Sequence, residues 1–257
     1  MPIFCFQVLI LQLDFPLSYA NQICSGTLIS SKHVISSPNC VYTVEDTPFP
    51  FLYNVILGDT ILGTEYDVPS LTIEVSKISV HPDYVPITTN AIAILELSEE
   101  VPLDKYPNIK PACLPSQDID LSGSTATVSG WSNDNIDTNL PYLNSWLHEV
   151  NLTVTDCAPW TDLDIDSDID IDITSSICAE EEGKYVCGDP GGPLVYHDPG
   201  NNNGLTLIGL TLFGSSSCDI NSITTPDVPG LFTRVSYYIE WVKSEITQAK
   251  TCPPPPL

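Results

Sequence analysis

The chain has 257 residues, enough for one large all-β domain or two small ones. Its 33 Asp and Glu outweigh 8 Lys and Arg, a formal net charge of -25, which argues against nucleic acid and anionic membrane surfaces as partners. The 42% of hydrophobic residues suffices for a core, yet no stretch is long and apolar enough to span a membrane.

In chain order, residues 4–13 are apolar, and Ser18-Tyr19-Ala20 has the look of a signal-cleavage site. No Lys or Arg precedes the run and Asp14 interrupts it, so the favoured reading makes residues 6–10 the first core strand. Short apolar runs follow at 27–29, 34–35, 51–57, 71–80 and 91–97, then at 125–129, 148–154, 193–196, 205–213 and 230–235. Gly, Pro, Asn and Asp punctuate them, which predicts a β-sandwich or barrel. Between them, aspartates alternate with other residues over 162–174, a pattern read as a solvated acidic loop because the glycine and terminal Glu of a calcium loop are missing. Residues 236–250 are predicted helical, with Tyr238, Ile239, Trp241, Val242 and Ile246 on one face. Prolines 253–256 cannot continue that helix.

Nine cysteines are spread along the chain without a zinc spacing. Such usage predicts disulfides and an oxidising, extracellular compartment, with one thiol left over or joined to another chain. Asn151-Leu152-Thr153 is a glycosylation sequon in keeping with secretion.

Three segments carry a family resemblance. Cys24-Ser25-Gly26-Thr27-Leu28-Ile29, continuing to Val34-Ile35-Ser36-Ser37-Pro38-Asn39-Cys40, resembles C-G-G-[ST]-L-I-x-x-x-W-V-[VIL]-[ST]-A-A-H-C. Asn90-Ala91-Ile92-Ala93-Ile94-Leu95 resembles N-D-I-A-L-L, and Cys187-Gly188-Asp189-Pro190-Gly191-Gly192-Pro193-Leu194-Val195 resembles C-x-G-D-S-G-G-P-L-V. In this order and at these separations they resemble the chymotrypsin/trypsin-like serine proteases. Supporting matches include Phe6-Gln7-Val8, His81-Pro82-Asp83-Tyr84, Cys113-Leu114-Pro115, Gly130-Trp131 and Pro229-Gly230-Leu231.

The resemblance implies two six-stranded antiparallel β-barrels with a cleft between them and a C-terminal helix. The expected division is a peptidase domain over 1–249, with barrel one about 1–105, barrel two about 115–235, the helix about 236–249, and a Pro-rich tail at 250–257. It also implies disulfides Cys24–Cys40, Cys157–Cys178 and Cys187–Cys218, and leaves Cys113 to pair with either Cys5 or Cys252.

By the same resemblance, the triad positions are degenerate. Asn39 stands for the histidine, Ala91 for the aspartate and Pro190 for the serine. An amide is no base near neutral pH, a methyl group orients nothing, and proline has no nucleophilic atom. Proline also lacks the N–H that would help hold an oxyanion, a loss worth ~10²–10³ in rate. The other oxyanion donor, Gly188, sits in a segment one residue shorter than the family pattern. His33 takes a core tryptophan's place and reads as a strand residue rather than a relocated base. No I-V-G-G precedes Phe6, so either the chain is truncated or it lacks the activating N-terminus, and Asp189 then needs another partner.

The former specificity pocket would have Tyr185 at its floor and Leu212, Phe213 and Gly214 along its wall, with the long segment between Cys218 and Pro229 as a candidate cover. Asp59, Glu65 and Asp67 fall where relatives bind calcium, and in so acidic a chain weak calcium binding by acidic loops is the minor reading. The expected function is therefore a non-catalytic, secreted binding or regulatory protein, without cofactor or structural metal, whose partner is a protease, inhibitor or receptor. The alternatives are residual or unrecognised serine-type endopeptidase activity, or a vestigial or incomplete family member.

Overall fold

A computed structural model of the chain describes residues 3–13, 20–41, 49–62, 68–85, 89–115, 120–131, 146–161, 172–181, 189–197, 204–213, 229–246 and 251–252. The first half supplies β1 (Gln7–Leu13), β2 (Ala20–Leu28), β3 (His33–Ser36), β4 (Tyr53–Leu57), β5 (Leu71–Val80) and β6 (Ala93–Leu97). They close into an antiparallel barrel in the order β1-β2-β3-β6-β5-β4. The second half supplies β7 (Thr125–Gly130), β8 (His148–Thr155), β9 (Ser176–Glu180), β10 (Pro193–His197), β11 (Leu205–Phe213) and β12 (Gly230–Arg234), which close in the order β10-β11-β12-β9-β8-β7. Full closure leaves neither sheet with a free edge.

Alternation dictates most of this. In β4, Tyr53, Val55 and Leu57 point inward while Asn54 and Ile56 are half-buried. In β8, Leu152 and Val154 enter the core and Asn151 and Thr153 face solvent. β1 is buried from Gln7 to Ile10 because its two faces are both covered. Val8 and Ile10 line the first barrel, while Leu9 packs outward with Leu62 and with Trp131, which follows β7 of the second barrel. Residues 6–10 therefore belong to the core, with Phe6 closing a 3₁₀ turn (Ile3–Phe6) ahead of β1.

Four local expectations need correction. The strand expected at 51–57 starts at Tyr53, because Pro50 opens a 3₁₀ turn (Pro50–Leu52) that leaves Phe51 68% exposed. The strand expected at 91–97 starts at Ala93, because Asn90 adopts a left-handed φ of 54° and Ile92 N–H turns back to Asn90 O at 2.8 Å. β9 was not anticipated: its five residues carry little alternation of their own, and pairing with β8 and β12 defines it. The C-terminal segment begins as a 3₁₀ turn (Val235–Tyr238), and of it only Ile239–Glu245 is α-helical. Val235 and Tyr238, three apart, are both buried, as a 3₁₀ repeat places them. Ile239, Val242 and Ile246 then continue the buried face. Residues 247–250 lie outside the described set.

A connecting segment ties the barrels. Ala112 N–H bonds to Leu28 O of β2 at 2.8 Å, while Cys113 exchanges backbone bonds with Leu205 and Leu207 of β11. Cys113 forms a disulfide with Cys252, and neighbouring Thr251 bridges to Ser30, so the C-terminal stretch straps onto the same seam. Cys5 is the buried free thiol among the described cysteines, and burial raises its pKa.

Candidate active-site cleft

The seam between the barrels gathers the three positions singled out above. Asn39 is the exposed middle residue of a 3₁₀ turn, Pro38–Cys40, with proline at its start and Val41 N–H closing onto Pro38 O at 2.9 Å. The Cys24–Cys40 disulfide, 5.6 Å between Cα atoms, staples that turn to β2. The Tyr84 hydroxyl donates to Asn39 Oδ1.

Ala91 is 1% exposed. The left-handed Asn90 before it is fixed by its own Nδ2, which donates to Asp83 O at 2.8 Å. Ala91 O accepts from Thr233 Oγ1 of β12 at 3.0 Å, a bond across the seam. Its methyl group sits in an apolar cluster with Leu212, Leu231 and the Cys157–Cys178 disulfide, against which Tyr84 and Trp160 pack.

Pro190 occupies the first corner of a tight turn. Gly192 N–H bonds to Asp189 O at 2.9 Å, and Gly191 has φ +73°. Proline at the second position and a left-handed glycine at the third is the sequence preferred by a type II turn. A Cβ on Gly191 would come within 2.7 Å of Ser25 O and 2.8 Å of Ser37 N, so glycine is also required by space. Pro190 O accepts from Ser25 N–H at 3.1 Å and lies 3.4 Å from Cys40 Sγ. Asn39, Ala91 and Pro190 thus converge through Cys40 and Tyr84.

Asp189 is 7% exposed, and its carboxylate is held from both barrels. Ser25 Oγ of β2 donates to Oδ2 at 2.8 Å, and Trp131 N–H donates to the same oxygen at 2.7 Å. Both are charge-assisted bonds, the strong kind for a buried carboxylate. Gly130 leaves room for that oxygen, since a Cβ there would lie 2.9 Å from it.

This frame of two closed six-stranded barrels is matched by the Trypsin family profile over residues 12–242. The chain belongs to the trypsin family. Among trypsin-family relatives, it is 33% identical over 231 residues to mouse Chymotrypsin-C, covering 87% of this chain and 78% of that one. It is 30% identical over 227 residues to Serine protease filzig of Drosophila melanogaster, covering 86% of this chain but 12% of that protein. It is 34% identical over 187 residues to Inactive CLIP domain-containing serine protease A3 of Aedes aegypti, covering 71% of this chain and 37% of that protein. The chain thus spans about an eighth and somewhat over a third of the length of these two longer relatives.

Several expected positions lie outside the described residues: Gly188, Tyr185, Gly214, Cys187, Cys218, Glu65, Asp67, the side chain of Phe213, the segment 214–228 and most of the acidic run 162–171. Asp59 is described, and its Oδ1 accepts from Ile61 N–H at 3.1 Å. No group of three or more potential metal ligands occurs among the described residues. His33 is buried in β3 opposite Glu96, with Nδ1 2.8 Å from Ser30 Oγ, and burial lowers its pKa.

A cavity of about 430 Å³ opens at the end of the second barrel, between Asp120, Asp156, Ile177, Ile208 and Arg234. None of the three seam positions lines it, so its size does not make it the site. Sequence reading missed three seam contributors: Ser25, Leu212 as the neighbour of Ala91, and Tyr84 as the partner of Asn39. Ser25 carried a signal, because it breaks the C-G-G pattern.

Proposed function

We propose that this chain is a secreted, non-catalytic member of the trypsin family that acts by binding another protein. The observation that carries the reading is the side-chain set at the seam: an amide at 39, a methyl group at 91 and a pyrrolidine at 190. Acyl transfer needs a nucleophile, a base within reach of its proton, and a group to orient the base. None of these three side chains supplies such an atom. Asn39 Oδ1 is already engaged by Tyr84, and Pro190 has no N–H to offer an oxyanion. The likeness to a relative named as inactive supports the reading. Disulfides, and the family to which the chain belongs, support secretion. A protease, inhibitor or receptor with a basic face suits a chain of net charge -25.

The rival reading, residual endopeptidase activity, draws on relatives named as proteases, such as Chymotrypsin-C. The purified chain is to be incubated with a mixed peptide library read by mass spectrometry, and in parallel with a fluorophosphonate that labels activated serines. The expected result is no cleavage and no adduct. Sequence-selective cleavage that disappears on substitution of a seam residue would overturn the proposal.

A further inference from the structure

Asn151-Leu152-Thr153 is the only Asn-x-Ser/Thr sequence in the chain. It sits in the middle of β8, where Asn151 and Thr153 face solvent and Leu152 packs into the second barrel's core. Thr127 of β7, directly opposite, donates from Oγ1 to Asn151 Oδ1 at 2.8 Å. That bond fixes the amide by its oxygen and leaves the nitrogen end turned from β7. The β7 partners on this face, Thr125 and Thr127, are uncharged, and the exposed Glu149 of β8 and Glu180 of β9 flank them. None of the seam contacts that gather residues 39, 91 and 190 comes from β8.

We propose that Asn151 carries an N-linked glycan standing on the outer face of β7 and β8. This rests on the secreted reading above, and on a donor of the lipid-linked oligosaccharide diphosphate class. The Asn151 amide nitrogen bonds to the anomeric carbon of the donor. The bond from that carbon to the diphosphate oxygen breaks, the lipid diphosphate departs with the electron pair, and the amide proton passes to solvent. The strand geometry also sets the order of events. In the barrel, Asn151 is paired to Thr127 of β7 and Thr153 to Glu180 of β9, and Thr127 Oγ1 holds Asn151 Oδ1, so the sequon is not free to enter a transferase site. Transfer therefore precedes pairing of β8 into the barrel. Once in place, the glycan shields this face and leaves the seam open to a partner.

The test directs the full chain into the secretory pathway of a eukaryotic host with a heterologous signal sequence, and reads intact mass on both retained and secreted pools. The expected result is a heterogeneous mass above that of the polypeptide, collapsed by peptide:N-glycosidase with Asn151 converted to Asp. Asn151→Gln and Thr153→Ala should abolish it, and Thr153→Ser should keep it. A chain at its bare polypeptide mass in both pools overturns the proposal. Modification here, combined with absence of the native protein from extracellular fluid, would overturn the secreted reading alone. With detergent-solubilised microsomal membranes, to which both forms have equal access, the reduced, unfolded chain should be modified and the oxidised, folded chain should not. Equal modification of both would overturn the proposed order.

Discussion

A carboxylate at position 91 would enter an apolar cluster of Leu212, Leu231 and the Cys157–Cys178 bridge, where the donors of Tyr84, Trp160 and Thr233 already serve Asn39 Oδ1, Pro229 O and Ala91 O. Ala91→Asp alone should cost about 3–5 kcal/mol of stability, read by urea unfolding. Adding Leu212→Ser returns a hydroxyl beside the new carboxylate and should recover part of the loss. If Ala91→Asp were neutral, the cluster would be far wetter than its burial states. Pro190 has the opposite character, since it suits the turn it occupies. Pro190→Ser restores an N–H and a hydroxyl but gives up the preset first corner, a loss of about 0.4–1 kcal/mol. The triple variant Asn39→His, Ala91→Asp, Pro190→Ser should therefore remain poorly active on peptide substrates. Brisk turnover from those three changes would show that the apolar surroundings of residue 91 matter little. The identity of each residue was legible in the motifs. The neighbour that makes Ala91 resistant to reversal, Leu212, lies far along the chain and was not.

Among elements, β2 and the turn at Asp189 are joined by the Ser25 hydroxyl. Ser25→Ala leaves the buried carboxylate with the Trp131 N–H but one donor fewer. It should destabilise the fold by about 1.5–3 kcal/mol, with faster hydrogen exchange over residues 189–192. Unchanged exchange there would mean the clasp does not hold the turn. β3 carries a pH-dependent element of its own in His33. Burial is the largest influence and depresses its pKa, Glu96 and Glu245 pull it back up, and Lys32 and Lys77 push it further down. The unfolded chain then binds the proton more readily than the fold. The contribution is complete above about pH 6.5 and lost as pH falls from there through the folded value. His33→Gln should flatten the stability profile below about pH 6.5. An unaltered slope would assign it to other groups. Strands with their own alternation, such as β4 and β8, could be read directly. β9 and the 3₁₀ turn at Pro50–Leu52 could not, because barrel pairing and a proline's missing N–H outweigh a run of apolar residues.

For the whole molecule, the connection between barrels and C-terminal stretch depends on Cys113, whose bridge to Cys252 spans 139 residues of sequence. Cys252→Ser should lower stability by about 2–5 kcal/mol, with Thr251 and Ser30 losing exchange protection together. A Cys252→Ser chain with parental stability would place the strap outside the cooperative fold. The sequence by itself determined the family resemblance, an all-β chain of short strands, the amide, methyl and pyrrolidine side chains at positions 39, 91 and 190, and the net charge of -25. Those follow from local identity, alternation and composition, which are present before any contact forms. Only the tertiary structure decided that Cys113 pairs with Cys252 rather than Cys5, that Asp189 is clasped by Ser25 and Trp131, and that Ala91 is walled in by Leu212. Each joins residues distant in sequence, and barrel closure, rather than any local preference, brings them within bonding distance.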